Sequence, residues 1–145
     1  MEKLFLLRHA LDEGYEGDPF LCERGIEQAR ELAESIALNL NGDNEDITIW
    51  TSPSKRTKGT ALIIWEKFPK ATFVEHEKLW SDEDHSYDFD WLENQLNNFH
   101  GKILIIISHL EYVCYFPEKK LGFKDIRASC AGGLLIENGK QSYFD

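Results

Sequence analysis

The chain has 145 residues and a formal net charge of -10, from 26 acidic and 16 basic side chains. This length accommodates one ordinary domain, residues 1–145, and the acidic excess argues against nonspecific binding to nucleic acid or to an anionic membrane. No apolar stretch approaches the roughly 20 residues of a membrane helix, and no signal-like leader precedes the first apolar run. A soluble, cytoplasmic protein is therefore expected.

Four apolar runs predict the strands of a sheet. They cover residues 3–7, 47–50, 71–74 and 102–107. The first and last of them, KLFLL and KILIII, are apolar almost without interruption, which is typical of parallel strands covered on both faces. These two runs are therefore expected at the centre of the sheet.

Helical periodicity lies between the apolar runs, where apolar side chains recur three and four positions apart. The predicted helices cover residues 24–40, 53–68 and 88–99, with a short one after His109. Ser52 and Pro53 supply a capping hydroxyl and a first-turn proline for the second of these helices. That helix is therefore predicted to begin at residue 53.

The segment GGLLIENGKQSYF near the end of the chain predicts a β-hairpin. Asn138 and Gly139 supply the positive backbone dihedrals of its tight turn. Strands that alternate with helices predict an α/β fold, a three-layer sandwich with a mostly parallel central sheet and helices on both faces. The hairpin would add an antiparallel edge to that sheet.

Basic and polar side chains follow three of the predicted strands. Arg8 and His9 follow the first strand, Arg56 lies on the first turn after the second, and Ser108 and His109 follow the run of residues 102–107. Ligands of open α/β sheets bind at the carboxyl ends of the strands, so these side chains are expected to converge. Two guanidinium groups suit a tetrahedral anion such as phosphate, and a neutral imidazole is a competent nucleophile toward phosphorus.

Four motifs in this order, LLRHA, LCERGIEQA, TSPSKRTKGTA and IIISHLEYV, resemble those of the histidine phosphatase superfamily, also called phosphoglycerate-mutase-like. The resemblance extends over essentially the whole chain. The small size and the SHLEYV form of the last motif are most similar to the SixA-type phosphohistidine phosphatases. The resemblance implies a phosphatase that needs no metal or other cofactor.

The resemblance also assigns roles to residues. His9 would be the residue phosphorylated, while Arg8, Arg56 and His109 would bind the phosphoryl group, His109 as an imidazolium. Further candidate substrate contacts are Ser108, Leu110 and Asp82. Because His9 must be neutral and His109 charged, activity is expected to depend on pH in a bell-shaped way.

Three positions depart from the family pattern. Ala10 replaces a glycine, Cys22 replaces a threonine, and Ser81 stands where larger members have a glutamate that acts as general acid. Asp82 and Asp84 lie close to Ser81 in sequence and are candidate substitutes for that acid. SixA-type proteins also lack the glutamate, which fits a phosphohistidine substrate because its leaving imidazole needs less protonation than an alkoxide.

The sequence therefore predicts a metal-independent phosphatase that works through a phosphohistidine intermediate and acts on protein phosphohistidine. The alternatives are a small-molecule phosphate monoesterase and a noncatalytic phosphoanion-binding module. The expected partner is a phosphorylated protein or a small phosphate ester, and a monomer is expected. His76, His85 and His100 are predicted at the surface or in loops; a metal site within HEKLWSDEDH is the alternative for the first two.

Overall fold

Six strands form one sheet in this computed structural model, which describes residues 1–43 and 45–145. The strands are β1 (Lys3–Arg8), β2 (Ile47–Thr51), β3 (Thr72–Glu75), β4 (Ile103–Ser108), β5 (Gly133–Glu137) and β6 (Lys140–Phe144). Their order in the sheet is β3-β2-β4-β1-β5-β6. The first four are parallel, and β5 and β6 are antiparallel to their neighbours, so the predicted mostly parallel sheet is confirmed.

Four α-helices cover this sheet. They are α1 (Glu23–Leu40), α2 (Lys55–Lys67), α3 (Phe89–Asn97) and α4 (Phe116–Lys120). A 3-10 turn, Glu77–Leu79, follows β3, and a π-helical turn, Glu111–Tyr115, leads into α4. The predicted helices are all found, with ends that differ by a few residues. None of the helices in the described part of the chain is long and apolar enough to cross a membrane.

The apolar residues of the two central strands point alternately to the two faces of the sheet, which explains their unbroken apolar runs. Phe5 and Leu7 of β1 lie in a core with α1 and α2, whereas Leu4 and Leu6 lie in a second core with α3 and α4. The residues of β4 alternate in the same way and are all buried. The three-layer arrangement is therefore confirmed, and it fixes the carboxyl ends of β1 and β4 side by side.

Helix α2 begins two residues later than the sequence predicts. Its N-cap is Ser54, whose hydroxyl accepts from the Thr57 N–H, and Lys55 is the first helical residue. Ser52 does not cap the helix, and its hydroxyl contacts the Nε2 atom of His109, 3.0 Å away. The capping role is therefore taken by the next serine along the chain.

The terminal hairpin forms as predicted. Asn138 and Gly139 have φ angles of 54° and 72°, the left-handed values that a two-residue turn requires. Strand β5 pairs with β1 and β6 pairs with β5, both antiparallel. The hairpin thus forms the antiparallel edge of the sheet, next to the strand that ends at Arg8.

Gly25 brings the first turn of α1 against the loop that follows β1. A Cβ atom at this position would lie 1.9 Å from the carbonyl oxygen of Leu11, a backbone atom. The same carbonyl accepts a hydrogen bond from the Cys22 N–H at 3.2 Å. The close approach therefore fixes the loop that leads from the sheet edge to the start of α1.

We expect the substitution Gly25→Ala to lower the free energy of unfolding by about 2 kcal/mol, because the added methyl group must displace backbone. This loss outweighs the gain of about 1 kcal/mol that alanine normally brings to a helix. Gly59→Ala in α2 is the matched control, since its Cβ would meet only the Leu21 side chain at 3.3 Å. Urea unfolding measures both; equal stability of the two variants would contradict the close contact at Gly25.

Candidate active site

The carboxyl ends of β1, β2 and β4 surround a cleft. Arg8 pairs with Ser108 in the register of the two central strands, and the His9 N–H donates to the Ser108 carbonyl at 3.1 Å. The cleft has a cavity of about 680 Å³ lined by Arg8, His9 and Arg56, and an adjoining cavity of about 410 Å³ that adds His109. Of the five side chains that the sequence predicts to converge, the fold therefore brings four together at the cavity: Arg8, His9, Arg56 and His109.

A hydrogen bond holds the buried ring of His9 in one orientation. Its ring is 6% exposed, and its Nδ1 atom lies 2.8 Å from the Ala10 carbonyl oxygen, which only accepts hydrogen bonds. Nδ1 therefore carries the proton, and Nε2 keeps its lone pair. Burial, together with the positive charges of Arg56 and Arg8, lowers the pKa of His9 to about 4. The ring is therefore neutral at pH 7, as nucleophilic attack requires.

His109 is neutral in this structure, whereas the role that the resemblance implies for it is that of an imidazolium. Its Nδ1 lies 3.4 Å from Arg56 Nη2, which only donates, so the proton is on Nε2 and is donated to the Ser52 hydroxyl. Burial, with His9 and Arg56 nearby, lowers the pKa of His109 to about 2. With so low a pKa, His109 does not supply the second ionisation of the expected bell-shaped pH profile in this structure.

The two buried histidines predict a loss of stability in acid. The ordinary histidine pKa of 6.5 applies to the unfolded chain, and both folded values are lower. The unfolded state thus binds more protons below pH 6.5, so stability falls as the pH falls. We expect a loss of about 2 kcal/mol per histidine between pH 6.5 and pH 5, measured by urea unfolding.

The variant His109→Gln isolates this effect, because it removes one of the two buried imidazoles. Its loss of stability between pH 6.5 and pH 5 should be smaller than that of the wild-type chain by about 2 kcal/mol, the contribution of one buried histidine. An identical pH dependence in wild type and His109→Gln would contradict the lowered pKa.

Arg56 is buried among three carboxylates. Its guanidinium group lies 3.9 Å from Asp12, 4.0 Å from Asp18 and 3.7 Å from Asp82, and the residue is 8% exposed. These distances are ion pairs rather than close hydrogen bonds. The N–H groups of Arg56 therefore remain able to donate to the oxygens of a bound anion.

The three further predicted substrate contacts are placed differently. Asp82 lines both parts of the cavity, and Leu110 lines the part next to His109. Ser108 is fully buried, and its hydroxyl donates to the Leu79 carbonyl at 2.7 Å. The fold does not bring the Ser108 side chain to the cavity lining, so its position supports the sheet edge instead.

Asp82 is ionised, which bears on its candidacy as general acid. Burial raises the pKa of Asp82, but hydrogen bonds from His85, the Asp84 N–H and Trp80 outweigh burial and hold it below its ordinary value. Three hydrogen bonds donated to a carboxylate stabilise its ionised form. Asp82 is therefore a poor proton donor at neutral pH, and Asp84 lies farther out on the cavity rim.

Two departures from the family pattern have structural explanations. Ala10 is fully buried in the core beneath α1 and α2, and its N–H donates to the Thr60 hydroxyl at 2.9 Å. Its methyl group therefore packs in the core and does not line the cavity. Cys22 is the N-cap of α1, where its Sγ accepts from the Gly25 N–H in place of a hydroxyl.

The histidines of the HEKLWSDEDH segment have separate surroundings. His76 lies in the loop between β3 and the 3-10 turn and is half-buried there, with its ring between those of Trp50 and Trp91. His85 is exposed, stacks on Trp80 and donates to Asp82. Within residues 1–43 and 45–145, no three His, Cys, Asp or Glu side chains converge closely enough to hold a metal ion.

Sequence reasoning missed several groups that shape the site. These are the carboxylates of Asp12 and Asp18 beside Arg56, and the hydroxyl of Ser52 beside His109. Asp12 lies three residues after His9, and this spacing was the available signal for it. No comparable signal marks Asp18, which reaches Arg56 only because the loop before α1 folds back over the sheet edge.

The sequence profile described as the histidine phosphatase superfamily (branch 1) matches residues 4–82. A curated relative, 5''-phosphoribostamycin phosphatase of Niallia circulans, is 33% identical over 88 residues. This alignment covers 53% of the chain and 39% of the relative, so the chain spans well under half of that protein.

Solved structures share the fold over nearly the whole chain. The protein histidine phosphatase SixA complexed with tungstate has a TM-score of 0.73 at 19% identity, covering 97% of this chain and 93% of that one. Phosphoglycerate mutase from Plasmodium falciparum has a TM-score of 0.69 at 18% identity, covering 99% and 88%. At these identities the similarity shows a common fold.

Proposed function

Because the chain belongs to the histidine phosphatase superfamily (branch 1), we propose that it is a metal-independent phosphatase that works through a phosphohistidine intermediate on His9. The observation that carries this proposal is the state of His9. The ring is buried and neutral, with its proton on Nδ1 and its Nε2 lone pair free at the floor of a cavity between two arginines. These are the properties of an activated nitrogen nucleophile.

The reaction proceeds in two displacements at phosphorus. In the first, the Nε2 lone pair of His9 forms a bond to phosphorus while the bond from phosphorus to the leaving group breaks, and the leaving group takes that electron pair. In the second, water attacks the phosphoryl group on His9, the bond to Nε2 breaks, and the electron pair returns to the ring. The products are inorganic phosphate, with the water proton released, and the original neutral His9.

Arg8, Arg56 and His109 stabilise the charge on the three nonbridging oxygens. The guanidinium groups are fixed hydrogen-bond donors, which suit the planar phosphoryl group of the transition state. A bound dianion raises the pKa of a neighbouring imidazole, because negative charge favours the protonated ring. His109 thus takes up a proton when the substrate binds and becomes the third donor.

Protein phosphohistidine is the substrate we propose, because of the state of Asp82. The carboxyl group nearest to Arg56 is ionised and unsuited to protonate an alkoxide. The imidazole of phosphohistidine leaves as a neutral ring when its other nitrogen carries a proton, so it needs no acid from the enzyme. An exposed phosphoryl group on a protein side chain also suits a cleft lined by loop residues.

A small phosphate monoester is the second candidate substrate. The observation that favours it is the 33% identity, over 88 residues, to a phosphatase whose name specifies phosphoribostamycin. The leaving group of an alkyl phosphate monoester is an alkoxide. This candidate requires that a proton reach the leaving oxygen from water or from a rim residue.

Two peptides of the same sequence test the choice of leaving group. We expect kcat/KM for a phosphohistidine peptide to exceed that for the phosphoserine peptide by at least about 10²-fold, the usual contribution of a general acid. Asp82→Asn should leave the phosphohistidine rate within a few-fold of wild type. Equal rates on the two peptides, with a large loss in Asp82→Asn, would show that Asp82 is an acid and would favour the monoester.

A further inference from the structure

The cavity has a basic floor and an acidic rim. The floor holds the guanidinium groups of Arg8 and Arg56. Five carboxylates line the rim: Asp12, Glu16, Asp82, Glu83 and Asp84. No lysine lines either part of the cavity within the described residues. This arrangement disfavours a ligand with several negative charges, because only its first phosphoryl group would meet positive charge.

The carboxylates beside Arg56 are held in place by other donors. Asp12 accepts from the Gly14 N–H at 2.8 Å, and Asp18 accepts from the Lys55 N–H, the first of α2, at 2.8 Å. Asp82 accepts from the Trp80 Nε1–H at 2.7 Å, in addition to its bonds from His85 and the Asp84 N–H. Their positions therefore do not depend on Arg56, and they form a fixed negative ring around it.

A phosphoryl group bound at the cavity floor would neutralise Arg56, the cation that balances this ring of carboxylates. His9 is 6% exposed and lines the cavity, and no group in the described part of the chain bonds to its Nε2. The phosphorus atom of the substrate must therefore lie next to this nitrogen. The oxygens of the phosphoryl group then take the N–H groups of Arg56. Asp12, Asp18 and Asp82 lose most of the positive charge that balanced them, and a second cation at the rim restores the balance.

We propose that this cation belongs to the substrate. The site then selects phosphoryl compounds that carry an ammonium or guanidinium group within roughly 10 Å of the phosphoryl group, the sum of one ion-pair and two hydrogen-bond distances. A phosphorylated amine and a phosphorylated side chain flanked by lysine or arginine share this chemistry. The inference rests on the proposed function, since it concerns the substrate of the same site.

The test measures binding to the His9→Ala variant, which does not turn over. Calorimetry compares glucosamine 6-phosphate with glucose 6-phosphate, which differ by one amine. We expect the amine to lower Kd by about 10-fold at low salt, as expected for a few partly exposed charge contacts, with a smaller preference in 0.5 M salt. In a second arm, the active enzyme is given two phosphohistidine peptides, one flanked by lysine and one by glutamate, and kcat/KM is compared between them.

The double variant Asp12→Asn/Asp18→Asn isolates the ring; it is made in the His9→Ala background for the binding arm and in the active enzyme for the peptide arm. Asparagine keeps the oxygens that accept from Gly14 and Lys55, so the loops are retained while two charges are removed. The amine preference should fall to within about 2-fold of unity, and tungstate should bind more tightly because Arg56 has fewer counter-ions. A control with the same change of charge, Glu31→Gln/Glu66→Gln, lies away from the cavity and should keep the preference.

The possible results separate this inference from the proposed function. A cation preference in either arm that the double variant abolishes supports the inference and shows which kind of substrate provides the cation. Binding without any preference in both arms, or a preference that the control variant loses equally, overturns the inference and leaves the phosphatase proposal intact. Failure to bind tungstate or to hydrolyse any phosphoryl compound overturns both.

Discussion

The variant His9→Ala is expected to lower kcat by about 10⁴-fold or more, since the attacking atom is removed and water must attack the substrate directly. Binding of tungstate should persist, because Arg8 and Arg56 remain. The fold should also persist: His9 forms one side-chain hydrogen bond, to the Ala10 carbonyl, and contributes no buried charge. Steady-state kinetics on a phosphohistidine peptide measure the loss, and circular dichroism checks the fold.

His100→Ala is the matched control for this variant. It removes an exposed histidine that does not line the cavity and should leave kcat unchanged. His9→Ala with more than about a tenth of wild-type kcat and an intact fold would exclude His9 as the nucleophile. The loss predicted here concerns the chemical step, so it should be visible in a single turnover as well as in the steady state.

The variant Arg56→Ala is expected to lower kcat/KM by about 10³-fold, because the transition state loses a fixed donor in a buried site. The structure adds a second reason for a large effect. Without Arg56, the carboxylates of Asp12, Asp18 and Asp82 repel an incoming phosphoryl group. Both the binding of tungstate and the rate should therefore fall, and the loss of binding should be greatest at low salt.

Arg56→Lys separates charge from shape. Lysine restores a positive charge but lacks the planar set of donors, so we expect a partial recovery, to within about 10²-fold of wild type. Arg24→Ala removes an arginine that pairs with Glu27 and Glu31 on the exposed face of α1 and should leave kcat/KM unchanged. Wild-type kinetics in Arg56→Ala would contradict the assignment of Arg56 to the phosphoryl site.

The central strands and the convergence of the basic residues could be predicted from the sequence, because both follow from local patterns. The runs KLFLL and KILIII are apolar on both faces, which in a parallel sheet places them at the centre. Once the strands are parallel, the residues after their carboxyl ends must share one edge. Arg8, His9 and His109 are therefore placed by topology, and Arg56 follows from its position at the start of a helix.

The remaining features depend on contacts between distant segments and could not be predicted. The Ser52 hydroxyl contacts His109, which is 57 residues away, and Ser54 caps α2 instead. The neutral state of His109 depends on burial and on Arg56, neither of which is visible in the motif SHLEYV. The acidic ring around Arg56 depends on a loop that returns over the sheet edge, so Asp18 was not recognised as part of the site.

The most direct test of the central claim is to trap the phosphoryl group on the enzyme. The wild-type chain is mixed with a phosphohistidine peptide, quenched in alkali within one turnover, and digested for mass spectrometry. A phosphoryl group that is stable in base, labile in acid and attached to His9 is the predicted result. Turnover with no phosphoryl group on His9, or tungstate binding without any turnover, would contradict the account; the second result would identify a noncatalytic phosphoanion-binding module.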